Sequence, residues 1–201
     1  MNWDNKEEVL KAVIEDGLEL ENASDKLKDD KEIVLAALSE DGFALEYASE
    51  NLKADKEIVL ATVSQDGETL KNASDKLKGD KDVVLAAVAQ AGYVLKYASD
   101  KLKDDKGIVL AAVTQHWQAL EHASENLKSD KEVVLAAIIQ HGALYSETYK
   151  YNKNKVQVDY LVTTAKKNYS VVMNYIPDEL KNDPDIIDAS KKSFELPFGT
   201  E

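Results

Sequence analysis

Cysteine and arginine are absent from this chain, and proline and histidine are scarce, with 3 of each. Without cysteine there is no disulfide framework and no thiolate metal site, and the composition suits a reducing compartment. Without arginine, all 25 basic residues are lysine, set against 38 carboxylates, for a net charge of −13. Arginine is the preferred residue for bidentate contacts to phosphate and guanine. An acidic chain without it is not expected to bind nucleic acid directly. No apolar run is long enough to span a membrane, and MNWDNKEEVL has neither the basic nor the apolar region of a signal peptide. No membrane partner is expected. The expected location is cytoplasmic, or a host cell reached without a signal peptide. A P-loop, a nucleophile elbow, G-x-G-x-x-G and H-E-x-x-H are also missing.

What is present is a repeat. The stretch from Asp30 to Ala54 recurs from Asp55, Asp80, Asp105 and Asp130, each start 25 residues after the last, and a first copy begins at Asn5. A fixed period of this kind marks a stacked-repeat protein. The leading Asp is a candidate N-cap. Ile33, Val34, Ala37 and Leu38 then lie on one face of a helix. Gly42 is expected to end that helix in a left-handed conformation. A second helix is expected from about Phe43 to Ala48, followed by one short turn anchored by Leu52. No unit of this size buries its apolar face alone, so neighbours must stack. The expected architecture is all-α: a right-handed α-solenoid-like array of about seven two-helix repeats plus a capping segment.

The apolar positions recur with little change. Val9-Leu10-Val13, Val34-Leu35-Leu38, Val59-Leu60-Val63, Val84-Leu85-Val88 and Val109-Leu110-Val113 are read as the core of the first helix, and Val134-Leu135-Ile139 as the same set with one slip. Trp3 is expected to cover the first repeat. Trp117 stands where earlier repeats have Gly17, Gly42, Gly67 and Gly92, so the bend there is expected to relax. Regular repeats are assigned to 5–142, divergent repeats and a C-terminal cap to 143–193, and an irregular tail to 194–201. Tyr175 to Asp183 aligns with Tyr47 to Asp55, which suggests a seventh repeat from near Val158 and an eighth opened by Pro184.

The motif D-K-x-[IV]-V-L-x-A-[VIL]-x-x-x-G-x-x-L-x-x-A-S-x-x-L-K resembles the bacterial repeat family known as domain of unknown function 4116, over about residues 5–142. The resemblance implies a helical repeat fold and carries over no catalytic or binding residue. Loosely, it also implies the context of large bacterial proteins, some suspected of acting on a host.

Repeat proteins tend to bind through positions that vary over a constant core. Counted from the leading Asp, positions 14 and 18 read Leu18/Asn22, Phe43/Tyr47, Glu68/Asn72, Tyr93/Tyr97 and Gln118/His122. A partner-binding stripe of Phe43, Tyr47, Tyr93, Tyr97, Trp117 and His122 is one reading. The other is that these rings pack between repeats. Position 12 also varies: Asp16, Asp41, Asp66, Ala91, His116 and His141. His116, His122 and His141 lack an acidic or cysteine fourth ligand, so no metal or cofactor is expected. The carboxylates recur in every repeat as caps and surface charges do, whereas a catalytic pair would break that symmetry. The chain is therefore read as a non-enzymatic module for protein–protein interaction. The alternatives are an acidic inhibitor or nucleic-acid mimic of phage or bacterial origin, and a structural spacer of a bacterial effector.

Overall fold

The computed structural model describes residues 1–140, 170 and 172–194. These fall into two compact units, Met1–Ser99 and Asp100–Glu201. Among the described residues there is no strand.

In the first unit each repeat has three helical pieces rather than two. The first repeat comprises an α-helix Lys6–Glu15, a 3₁₀-helix Gly17–Asn22 and a one-turn helix Asp25–Lys28. The second and third repeat the scheme as Lys31–Glu40, Gly42–Tyr47, Glu50–Lys53 and Lys56–Gln65, Gly67–Asn72, Asp75–Lys78. Lys81–Gln90 and Gly92–Tyr97 begin the fourth. The expected second helix is thus 3₁₀. Its inward residues are three apart, as in Gly17, Leu20 and Ala23, and a helix of three residues per turn aligns them on one edge. All three are buried.

The bend between the first two pieces contains no left-handed residue: among the described residues no glycine has positive φ. The chain turns through one extended residue, Asp16 at φ −147° and ψ 110° in the first repeat. Asp16, Asp41 and Asp66 then cap the 3₁₀-helix by accepting from the N–H of Leu18, Phe43 and Glu68 at 2.9, 2.7 and 2.8 Å. The glycines serve close approach instead. A Cβ on Gly17 would lie 2.3 Å from the Ala37 carbonyl oxygen, and one on Gly67 2.3 Å from that of Ala87. At Gly42 the nearest atoms would be the methyls of Thr69 and Thr62, at 3.1 and 3.2 Å.

The junctions between repeats therefore alternate. The long helices of the first and second repeats lie against each other, as do those of the third and fourth, while the second and third stand further apart. Thr62 and Thr69 occupy the wider junction, where the second repeat has Ala37 and Ala44. Both hydroxyls are buried and donate to main-chain oxygens, of Ile58 at 2.8 Å and Asp66 at 2.7 Å.

Two ladders cross every junction of this unit that the described contacts cover. In the main chain, Ser49, Ser74 and Ser99 N–H donate to the carbonyls of Lys28, Lys53 and Lys78. Ser24 N–H donates to the Trp3 carbonyl, so Trp3 stands in for a preceding repeat. In the side chains, one oxygen of each leading Asp caps its own helix while the other takes the lysine of the repeat before. Asp30 accepts from Glu32 N–H at 3.0 Å and from Lys6 Nζ at 2.7 Å, and Asp55 accepts from Lys31 at 2.9 Å. Lys6 and Lys56 also reach Glu32 and Asp82 at 2.8 Å, but Lys31 stays 3.8 Å from Glu57 across the wider junction.

The core differs from expectation at one position. Ile33, Val34, Ala37 and Leu38 are buried, but Leu35 is 43% exposed and Leu10, Leu60 and Leu85 are only partly covered. These leucines lie on the outer side of the long helices.

The second unit opens with Asp100–Lys103, followed by Lys106–Gln115, Trp117–His122, Glu125–Lys128 and a helix over 131–140. The bend at Trp117 does not relax: His116 has φ −143° and ψ 109°, as Asp16 has in the first repeat. The ring is buried, and Gln140 accepts from Trp117 N–H at 3.1 Å while donating to the Gln115 carbonyl at 3.0 Å. The supposed slip is absent too, because Ile138 is buried and Ile139 is 62% exposed.

After a helix over 172–175, Asp178–Lys181 and Pro184–Phe194 follow. The alignment of Tyr175–Asp183 with Tyr47–Asp55 holds contact by contact. Glu121 lies beside Tyr175 as Glu21 lies beside Tyr47, each carboxylate helping to raise its hydroxyl's pKa. Lys131 meets Asp183 at 2.9 Å and Asp185 at 2.6 Å, the partners that Lys31 finds in Asp55 and Glu57. In this register Asp183 stands to Lys131 as Asp55 stands to Lys31, and it caps the helix that follows by accepting from the N–H of Asp185 and Ile186. Val158 itself, Gly142 and the 194–201 tail beyond Phe194 lie outside the described residues.

Candidate partner-binding face

The variable positions lie on the outer side of the 3₁₀-helices. In the first unit these helices pack in chain order, each against the next. Their i, i+3 spacing buries Leu20, Leu45, Leu70 and Leu95 and turns positions 14, 17 and 18 outward. Phe43, Tyr47, Tyr93 and Tyr97 are each half-buried on this face.

Charged neighbours that the sequence reading did not single out are built around these rings. Lys71 Nζ sits 4.5 Å from the Phe43 centroid, reaching across the wider junction. Lys96 Nζ lies 4.7 Å from Tyr97 and 5.5 Å from Tyr93. The Tyr93 hydroxyl donates to Glu68 at 3.5 Å, and its pKa is raised by burial and by that carboxylate. The Tyr47 hydroxyl is raised chiefly by the charge of Glu21. Cation–ring contacts of this kind contribute about 0.5–1 kcal/mol at exposed sites. Their signal in the sequence is position 17, which reads Glu21, Glu46, Lys71, Lys96 and Glu121.

The second unit holds the other two candidates. Trp117 is a core residue there, 5% exposed, and does not belong to an outer face. His122 is half-buried. His141 lies outside the described residues. Among the described residues no group of three His, Cys, Asp or Glu is placed to hold a metal ion, and no helix is long and apolar enough to cross a membrane.

A polar hollow opens beside this face at the junction of the second and third repeats, lined by Glu46, Glu50, Lys53, Lys71, Asn72, Ser74, Asp75 and Lys78.

Short helices stacked by repetition, with a constant core and a variable outer edge, define a helical-repeat protein. Residues 5–53, 55–103 and 105–151 each match the model of the family described as Domain of unknown function (DUF4116), and together they cover more than half of the chain. The chain belongs to that family. No curated protein and no solved structure matches it. Each of the first two matches takes in two of the 25-residue repeats. The close junctions at Gly17 and Gly67 fall inside those matches, and the wider one at Gly42 falls between them. The aromatic pairs Phe43/Tyr47 and Tyr93/Tyr97 belong to the second repeat of each.

Proposed function

We propose that this chain is a non-enzymatic interaction module that holds a protein partner on the outer edge of its 3₁₀-helices. One observation carries the reading. Helix-cap, ladder and core positions of the long helix repeat with little change, while positions 14, 17 and 18, which vary, share one exposed edge. There, half-buried rings alternate with lysines and carboxylates, the mixture typical of interface anchors. The right-handed sense of the array and its count of about seven repeats belong to this proposal. So do a bacterial source and a cytoplasmic or host-delivered location.

The nucleic-acid-mimic alternative draws on the charge, 18 lysines against 30 carboxylates before residue 151. Lys71 and Lys96 interrupt the carboxylates along this edge, which favours a protein partner over a groove built for a polyanion's mimic. The spacer alternative gives the variable edge no role.

The test is site-specific photo-cross-linking in the native cell, with the reactive residue at Tyr97 on this edge or at exposed Ser64 on the long-helix side. A defined adduct from Tyr97 and none from Ser64 is expected, and the adduct is lost in Tyr93→Ala with native helicity retained. Equal adducts from both sites, or none, overturn the reading.

A further inference from the structure

The wider junction between the second and third repeats lacks the carboxylate that two other junctions carry at position 25, as does the next junction, where the residue is Gly79. In the first junction the Asp29 carboxylate accepts from the Ser49 hydroxyl and, at 3.3 Å, from Asn51 Nδ2. In the second unit Asp104 accepts in the same way from the Ser124 hydroxyl. At the second–third junction the corresponding residue is Ala54 and the corresponding hydroxyl is that of Ser74. Ser74 Oγ is buried and has no hydrogen-bond partner, and so is Asn72 Nδ2 two residues before it. Both residues line the polar hollow, together with Lys53, Lys71 and Lys78.

We propose that this hollow is a binding site for a single carboxylate, such as an aspartate or glutamate side chain or the C-terminus of a polypeptide. The incoming carboxylate takes the place that Asp29 and Asp104 hold in two other junctions. One oxygen accepts from the Ser74 hydroxyl, and the lysines supply the counter-charge. Lys53 and Lys78 are well placed for this, because their side chains are only 19% and 24% exposed and a charge–charge contact there is less screened than on open surface.

The charge of the hollow sets the ligand class. Lys53, Lys71 and Lys78 are balanced by Glu46, Glu50 and Asp75 on the same lining. Glu50 is 3.0 Å from Lys53 and Asp75 is 3.9 Å from Lys78. A polyanion would meet those carboxylates, so one negative group fits and a phosphate chain does not. Buried donors gain most from a charged acceptor, since leaving them unmade costs more than an ordinary hydrogen bond returns. The site does not depend on the partner-binding edge, and its failure would leave that reading standing.

The test is an NMR titration of the full chain with sodium acetate, referenced to sodium chloride at equal ionic strength. Saturable shifts confined to Ser74, Asn72 and Lys53 are expected. Ala54→Asp supplies the carboxylate from within, so it should abolish the acetate response and raise the thermal midpoint. Ser74→Ala keeps the hollow but removes the donor. Its half-saturation concentration should rise at least about tenfold, the loss of one hydrogen bond to a charged group. The proposal is overturned by shifts scattered over many lysines, by an unchanged response in Ser74→Ala, or by no saturable response at all.

Discussion

Replacing glycines one at a time separates two physical accounts of the bend. If the glycines were needed for a left-handed backbone, Gly17→Ala, Gly42→Ala and Gly67→Ala would each cost a similar 1–2 kcal/mol or so. The backbone has negative φ at all of them, so the cost must instead follow the space each Cβ meets. At Gly67 a Cβ would stand 2.3 Å from the Ala87 oxygen, and the two backbones must part by at least 0.7 Å to restore even 3.0 Å. That opening runs through side chains that are fully buried, Leu70 and Val84 among them. Overpacking of this kind typically costs about 1–3 kcal/mol. At Gly42 the Cβ would touch two threonine methyls at 3.1 and 3.2 Å, which yield by a few tenths of an ångström. Part of that cost is returned by the lost freedom of the unfolded chain, about 0.4–1 kcal/mol. Gly42→Ala should therefore lie within about 1 kcal/mol of the parent. Urea unfolding followed by far-ultraviolet circular dichroism reads the difference. With a slope of about 2 kcal/mol/M, Gly17→Ala and Gly67→Ala should lower the midpoint by about 0.5–1.5 M, and Gly42→Ala by much less. Equal losses at all three positions would refute the close-approach account.

Three other outcomes follow from the same contacts. Gly107 sits inside the helix Lys106–Gln115, where an added Cβ would meet only the Asp105 side chain at 3.3 Å; Gly107→Ala should stabilise by about 0.5–1 kcal/mol in thermal unfolding. Asp29→Ala strips the acceptor from Ser49 and Asn51 and should cost about 0.5–1.5 kcal/mol by the same assay. Asp30, Asp55 and Asp80 are held below their ordinary 3.8, first by the hydrogen bonds of Lys6, Lys31 and Lys56. A carboxylate with a depressed folded-state pKa gives its full stability above the unfolded value and loses it as pH falls through the folded one. The thermal midpoint should thus drop below about pH 4, and Asp55→Asn, which keeps the helix cap, should make that drop shallower.

Much of the fold was legible because one interaction repeats at each position. The caps are an example: Asp, or Asn in the first repeat, followed by an amphipathic run, can hardly be anything but a helix N-terminus, and Asp30, Asp55 and Asp130 all accept the expected main-chain bonds. The glycine was misread because sequence shows only that no side chain is wanted. It does not say whether torsion or a neighbouring backbone forbids it. The leucines at position 6 were misread for a related reason. Leu35 is as constant as Val34, yet constancy of an apolar residue does not place it inside, and the helix face it occupies is the outer one. Trp117 was doubly misleading: its size suggested a disturbed bend and a binding anchor, whereas it is a core ring in an undisturbed bend.

The candidate face was legible in part, and the missing part explains the limit. Alternating aromatics at positions 14 and 18 could be found by counting. The lysines over them could not, because Lys71 reaches Phe43 from the next repeat while Lys96 covers Tyr93 and Tyr97 within its own. Both come from position 17, so one sequence position has two contacts depending on the junction it faces. The same alternation separates Gly17 from Gly42. The physical unit is therefore a pair of repeats: a close junction inside it is held by backbone against backbone, and a wider one outside it leaves room for methyls, a lysine and a polar hollow. A 25-residue count averages the two junctions and hides the difference, and the wider one holds the unpaired Asn72 and Ser74 donors.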